Sequence, residues 1–227
     1  MTTLDISLRK RVTNLLFPRY SPLLDRMNWS ARWTETVRQS NGCPKFPNRE
    51  EMYRHLNAEF FGGGNQPIDY FEFGVFEGKS ITFWSALNPH PESRFFGFDS
   101  FEGLPENWNP ASPAGAYNAC GKIPQTSDKR IQFIVGWFQN SLPGFLAAHN
   151  PRNPVIIHSD SDLYSSTLYS LTAMNPLIAQ GTFVIFDEFY DPLHEYRALH
   201  DYASSYLRKY QLIAATPEFT QATIKIL

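Results

Sequence analysis

Ile68-Asp69-Tyr70-Phe71-Glu72-Phe73-Gly74-Val75-Phe76-Glu77-Gly78-Lys79-Ser80 is the stretch on which the fold turns. Its first half, residues 68–75, is a short run that is apolar on both faces, as suits a strand buried in the middle of a sheet. Its second half carries two glycines, where the backbone can turn tightly and approach a ligand, and residues 78–87 then read as a helix. The same texture recurs downstream. Residues 94–99, 131–138, 154–160 and 182–189 read as strands, and residues 142–149, 166–174 and 194–210 as helices. Strands alternating with helices predict an α/β fold with a doubly wound, mostly parallel seven-stranded sheet. The last two strands, residues 211–216 and 221–227, read as a terminal hairpin.

Upstream, residues 1–64 are helical in pattern, broken by Pro18, Pro22, Pro44 and Pro47. They read as an N-terminal helical segment packing on or covering the site of a domain formed by residues 65–227. Residues 49–61 are its clearest helix. Asn48 can cap it, Glu51 stands three residues on as in a capping box, and Met52, Leu56 and Phe60 make a packing stripe. Arg9, Lys10 and Arg11 beside Leu8, Val12, Leu15 and Leu16 could mark a membrane-surface helix, but packing on its own domain is the commoner use of such a pattern. No stretch approaches the ~20 apolar residues that span a bilayer. The first residues lack a long apolar run, so the expected location is cytoplasmic. A chain of 227 residues needs no disulfide staple. Cys43 and Cys120 fall in no metal-ligand spacing and are expected as reduced thiols. The formal charge of −2 argues against a nucleic-acid partner.

In an open α/β sheet the ligand lies outside the carboxyl ends of the strands, so the residues ending each strand carry the chemistry. Gly74 and Gly78 follow the first strand. Asp99 ends the second, about 20 positions on, where an acidic residue takes the hydroxyls of a ribose. The pairing suggests a nucleoside. Glu72 and Glu77 flank the glycines, and their negative field opposes a pyrophosphate but suits S-adenosylmethionine, whose sulfonium and ammonium are positive. The candidate cofactor-binding set is Glu72, Gly74, Val75, Phe76, Gly78, Ser80, Asp99, Ser100, Phe101 and Asp160. The long connection over residues 101–129 is rich in Pro, Gly, Asn and Ser, and reads as a functional cover. Its Phe101, Trp108 and Tyr117 could line the pocket, whereas Trp137 and Phe138 read as core.

The fourth and fifth strands end in carboxylates. Asp160, Asp187 and Glu188 could supply three oxygen ligands to a hard divalent cation such as Mg²⁺, which would hold an acceptor hydroxyl and lower its pKa. Asp162 or His158 could then take the proton, and Asp160, Asp162 and His158 form the candidate catalytic set. Structural uses compete with these: helix capping for Asp162, a hydrogen-bonded core position for His158. Gly78-Lys79-Ser80 also resembles the end of a Walker A loop. That motif needs a glycine five positions before the Gly-Lys pair, and Phe73 stands there.

Five segments, residues 72–80, 96–105, 136–143, 160–167 and 186–189, together resemble the macrocin O-methyltransferase-like family, in the family's order. The resemblance implies a Rossmann-like class I methyltransferase fold and transfer of a methyl group from S-adenosylmethionine to a hydroxylated small molecule, in the best-known members a sugar on a natural product. It implies that Glu72, Gly74 and Gly78 border the methionine part and Asp99 the ribose. Asp160, Asp187 and Glu188 fall where members with bound Mg²⁺ place their ligands, and Asp162 where a general base is proposed. Ser161 replaces the glycine of the usual Asp-Gly-Asp segment, and Glu188 replaces an aspartate, one methylene shorter. A homodimer is compatible with this type of fold. A catalytically inactive binding module for the same cofactor is the alternative; a nicotinamide oxidoreductase is opposed by the acidic loop and the missing G-x-G-x-x-G.

Overall fold

Hydrophobic runs that are buried on both faces set the centre of the sheet. In the computed structural model, which describes residues 3–40 and 42–227 with the side chains of 3–20 excepted, β1 (Asp69–Phe73), β4 (Val155–Ser159) and β5 (Phe183–Phe186) are buried at every position. β2 (Arg94–Asp99) and β3 (Ile131–Val135) continue the sheet on one side. On the other, β6 (Tyr210–Ala215) and β7 (Ala222–Ile226) pair antiparallel as the expected hairpin. The seven strands run in the order β3-β2-β1-β4-β5-β7-β6, parallel except where β7 meets β5 and β6. The doubly wound sheet expected from the alternation of runs is therefore present.

The order reverses between β1 and β4, because β1 first pairs β2 and the chain then crosses back to lay β4 on its other edge. That switch point is where ligands bind in such sheets. The helices between strands are α3 (Lys79–Leu87), α4 (Phe138–Ala148), α5 (Tyr164–Met174) and α6 (Glu195–Ser205). β3 stops three residues before the expected end, since Gly136 turns the chain at φ 131° and α4 starts at Phe138.

Two compact units are present, residues 1–41 and 42–227. The first contains α1 (Thr3–Gln39), a single helix that runs through Pro18 and Pro22. Each proline forfeits one backbone hydrogen bond, which the remaining bonds of a 37-residue helix tolerate, so the expected breaks there do not form. The side chains of the basic and apolar cluster at residues 8–16 lie outside the described residues. α2 (Arg49–Phe60) belongs to the second unit. The Asn48 side chain accepts from the Glu51 N–H at 2.9 Å, as expected of a cap. Met52, Tyr53 and Leu56 join Ile68, Tyr70, Trp84 and Phe183 in the unit's core. Cys43 and Cys120 are unpaired. Among the described residues no helix is long and apolar enough to cross a membrane.

Candidate active site

Close packing at the switch point begins with Gly74. It adopts φ 91°, and a Cβ there would stand 1.7 Å from the Asp160 carbonyl oxygen. The missing side chain is what lets the ends of β1 and β4 meet. Gly78, at φ 75°, opens α3 and lies under the side chain of Pro124 from the cover, which a Cβ would meet at 2.9 Å. Three non-glycine residues at strand ends also have positive φ: Phe76 at 49°, Phe101 at 58° and Asp162 at 60°. Such strain persists where the surroundings over-determine it, and concentrates at functional sites.

Asp99 organises the first loop. One carboxylate oxygen accepts from the N–H groups of Val75 and Phe76, both at 2.8 Å, and the other from Phe101 N–H at 2.7 Å. The backbone donors that a phosphate loop would offer are thus already spent on a carboxylate. Lys79, which a Walker A loop would aim at phosphate, pairs with Glu77 at 2.6 Å. The oxygen that accepts from Phe101 keeps acceptor capacity for a further donor.

A cavity of about 330 Å³ opens beside this loop, within the usual range for small-molecule sites. Gly74, Val75, Phe76, Ser80, Asp99 and Ser100 line it from the cofactor-loop side, and Asp160, Asp162, Asp187 and Glu188 from the other. Most of the candidate residues therefore share one wall-to-wall space.

Several residues lie elsewhere than expected. Glu72 does not line the cavity; it is fully buried and accepts from Tyr70 Oη at 2.7 Å and Ser80 Oγ at 3.0 Å. Its charge still acts on the cavity, where it helps push the Asp160 carboxyl up. Gly78 lies beneath the lining, and Phe101 is in the core against Phe133. Trp108 is also outside the lining, while Trp137 and Phe138, read as core, line the cavity with Tyr117. Phe138 keeps a core contact as well, its ring edge-on to buried Phe73 at 5.3 Å.

His158 also lies elsewhere than expected. It is wholly buried, with Nδ1 2.7 Å from Tyr70 Oη and 3.2 Å from Glu72, and Nε2 3.3 Å from Tyr53 Oη and 4.0 Å from Asp187. Burial pushes against the imidazolium, but the nearby Asp187 and Glu72 carboxylates outweigh it and hold the pKa at about 10. A ring already protonated at neutral pH is not a general base.

The carboxylates divide by environment. Asp187 is held below the usual range: burial is overcome by the His158 ring 4.0 Å away and by Arg49, whose Nη1 lies 3.3 and 3.4 Å from its two oxygens. Burial and then the Asp187 charge push Asp160 well up. The same two causes bring Asp162 to about 6. Glu188 is driven well up by burial and by buried Glu195, and its Oε2 is buried without a partner. Asp162 does not cap α5, whose first turn has no side-chain cap. The expected ligand set is split. One close group is His158, Asp160 and Asp187, the other Asp160, Asp162 and Glu188, with donor atoms in each within 4.8 Å of one another. Among the described residues, Asp187 and Glu188 share no such group.

Arg49, Tyr53, Tyr70 and Glu195 were not anticipated. Glu195 Oε2 accepts from the Glu188 N–H at 2.9 Å and Oε1 from Ser159 Oγ at 3.0 Å, fixing the turn after β5. Arg49 had a signal: it is the first residue of α2, where the helix dipole disfavours a cation.

The methyltransferase domain family matches residues 71–189, more than half of the chain. The 8-demethyl-8-(2,3-dimethoxy-alpha-L-rhamnosyl)-tetracenomycin-C 4'-O-methyltransferase of Streptomyces olivaceus is 33% identical over 156 residues, 58% of each chain. The demethyldecarbamoylnovobiocin O-methyltransferase of Streptomyces niveus is 28% identical over 168 residues, 62% of each. The chain thus spans about three-fifths of the length of these curated relatives. Of solved structures, the O-methyltransferase NovP aligns at TM-score 0.61 and 22% identity over 78% of both chains. A calicheamicin methyltransferase aligns at 0.60 and 22% over 88% of this chain and 92% of its own. Both share the fold.

Proposed function

The chain belongs to the methyltransferase domain family, and from that premise we propose that it moves the methyl group of S-adenosylmethionine to a hydroxyl oxygen of a small molecule. The observation that carries this reading is the joining, in one cavity, of a loop stapled by Asp99 and a cluster of carboxylates at the ends of β4 and β5. The first suits a nucleoside and refuses a phosphate; the second suits removal of a hydroxyl proton.

The bound cofactor supplies an electrophilic methyl group on a sulfonium. Asp99 takes the ribose hydroxyls, and the turn at Gly74 lets the methionine part lie against bare backbone. Asp162, lining the cavity with a pKa of about 6, is ionised at neutral pH and takes the acceptor's proton on a carboxylate oxygen. Trp137, Phe138 and Tyr117 close the cavity with apolar rings. Much of the acceleration then comes from holding the acceptor oxygen in line with the methyl carbon. A hard divalent cation such as Mg²⁺ fits the carboxylates, because Glu188 Oε2 is buried and unpartnered, and it would add Lewis-acid chemistry at the acceptor oxygen.

The curated relatives are named for methylation of a rhamnosyl tetracenomycin and of demethyldecarbamoylnovobiocin. The acceptor proposed here is accordingly a sugar or natural-product hydroxyl, and aromatic walls suit a sugar face.

Calorimetric titration of the protein with S-adenosylmethionine and S-adenosylhomocysteine, followed by a screen of glycosylated acceptors, tests the reading. Micromolar binding of both is expected. Asp162→Asn should keep that binding and lose at least about 100-fold in turnover, the low end for general-base catalysis. No heat with either ligand, beside a clear response to ATP or NADH, sinks the proposal.

A further inference from the structure

We propose that Phe76 and Tyr117 form an aromatic corner at the mouth of the cavity, which grips the uncharged, apolar body of the acceptor beyond its reacting hydroxyl. The inference rests on the methyl-transfer reading of the cavity and adds to it the residues that select the acceptor.

Both residues line the cavity, yet Phe76 is 40% exposed and Tyr117 49% exposed. Rings that line a cavity and also face water stand where the cavity meets solvent. Their centroids are 6.3 Å apart with the planes at 80°, an edge-to-face pair, so the two rings make a corner. Backbone on both sides holds it. Phe76 gives its N–H to Asp99 at 2.8 Å and adopts φ 49°. Tyr117 adopts φ 58° and follows Ala116, whose carbonyl accepts from Leu104 N–H at 2.9 Å. Gly103 allows that clasp, since a Cβ there would stand 2.5 Å from the Ala116 carbonyl oxygen. Two large rings are thus fixed on strained backbone and left in water. A core has no use for that arrangement. A contact surface does, because aromatic side chains bring large area at low cost in conformational entropy.

Space and charge say what the corner holds. At about 330 Å³ the cavity is at the low end of the range that encloses one drug-sized ligand. A nucleoside cofactor takes most of that space, so the rest of the acceptor leaves through the mouth. The two lining cations are already paired, Lys79 with Glu77 at 2.6 Å and Arg49 with Asp187 at 3.3 Å. The other charged groups of the lining are carboxylates, which repel a diphosphate. An uncharged aromatic or apolar body suits such a mouth, and a nucleoside diphosphate sugar does not.

The test is calorimetric titration of the full chain loaded with S-adenosylhomocysteine. The probes are 4-methylumbelliferyl α-L-rhamnopyranoside, methyl α-L-rhamnopyranoside and thymidine diphosphate rhamnose, so that the sugar is constant and only the body changes. The wild type should bind the aryl glycoside at least about tenfold more tightly than either of the others. Phe76→Ala and Tyr117→Ala should each cut that preference at least about fivefold, and Tyr117→Phe should keep it. Tyr206→Ala removes a ring that is 40% exposed but outside the lining, and should change nothing. Equal binding of aryl and methyl glycosides by the wild type, no binding of the aryl glycoside, or tightest binding of the diphosphate overturns the inference. So does a loss of S-adenosylhomocysteine affinity in Phe76→Ala and Tyr117→Ala as large as their loss of aryl glycoside, since the rings would then serve the cofactor. The wild-type comparison stands whether or not a variant folds. Normal S-adenosylhomocysteine binding beside a failed aryl preference defeats this inference alone, whereas no such binding by the wild type defeats the methyltransferase reading.

Discussion

At the scale of single residues, burial decides which carboxylate does what. Asp99 accepts three backbone N–H groups from two loops and lines the cavity, so it holds the loop as well as the proposed ribose. Asp99→Ala should therefore weaken S-adenosylhomocysteine binding by roughly 2–4 kcal/mol, about 30- to 1,000-fold in Kd, and also lower the melting temperature. Calorimetry and thermal unfolding check the two together; weakened binding with an unchanged melting temperature would leave Asp99 no part in ordering the loop. His158 makes a second prediction. Its folded pKa of about 10 exceeds the unfolded value near 6.5, so its contribution is complete below pH ~6.5 and is lost as pH rises through ~10. The span is on the order of 5 kcal/mol. Urea unfolding at pH 6 and pH 9.5 should show the wild type losing more stability than His158→Gln; equal losses would mean that the buried ring is neutral. Asp99 was readable from its distance to the glycines. The buried roles of Glu72 and His158 were not, because both depend on Tyr70 standing between two strands distant in the chain.

At the scale of elements, the turn after β1 brings strands together that lie far apart in sequence. Gly74 has no room for a methyl group against the Asp160 carbonyl and adopts a φ that side chains rarely take. Gly74→Ala should destabilise the protein by about 3 kcal/mol and separate the ends of β1 and β4. Urea midpoints measure the first effect; a loss below about 1 kcal/mol would show that the two strands can part without cost. The strands themselves were legible as apolar runs, and the hairpin as two short runs around residues 217–219. Boundaries moved where turn chemistry overruled hydrophobicity: Gly136 ends β3 early, and α4 begins at Phe138. Trp137 and Phe138 stand in the cavity wall, a position no local pattern announces.

At the scale of the whole molecule, the second unit has its own hydrophobic core, running from Met52 to Ala214. Residues 42–227 alone should fold cooperatively and bind S-adenosylhomocysteine within about threefold of the full chain, a difference under 1 kcal/mol. Circular dichroism and calorimetry of the truncated chain test this, and a molten truncated chain would show that α1 is needed for folding. The amino-acid sequence by itself determined the alternation of strands and helices, the glycine turn, Asp99 and the carboxylates at the strand ends, because these are local: hydrophobic period, backbone freedom and charge can be read along the chain. Only the tertiary structure decided which carboxylates share a group, that Arg49 reaches Asp187 across 138 positions, and that Glu72 and His158 are sealed from the cavity. Those outcomes depend on burial and on distances between remote residues, and the physics that sets them, desolvation and Coulomb attraction at short range, exists only once the chain has folded.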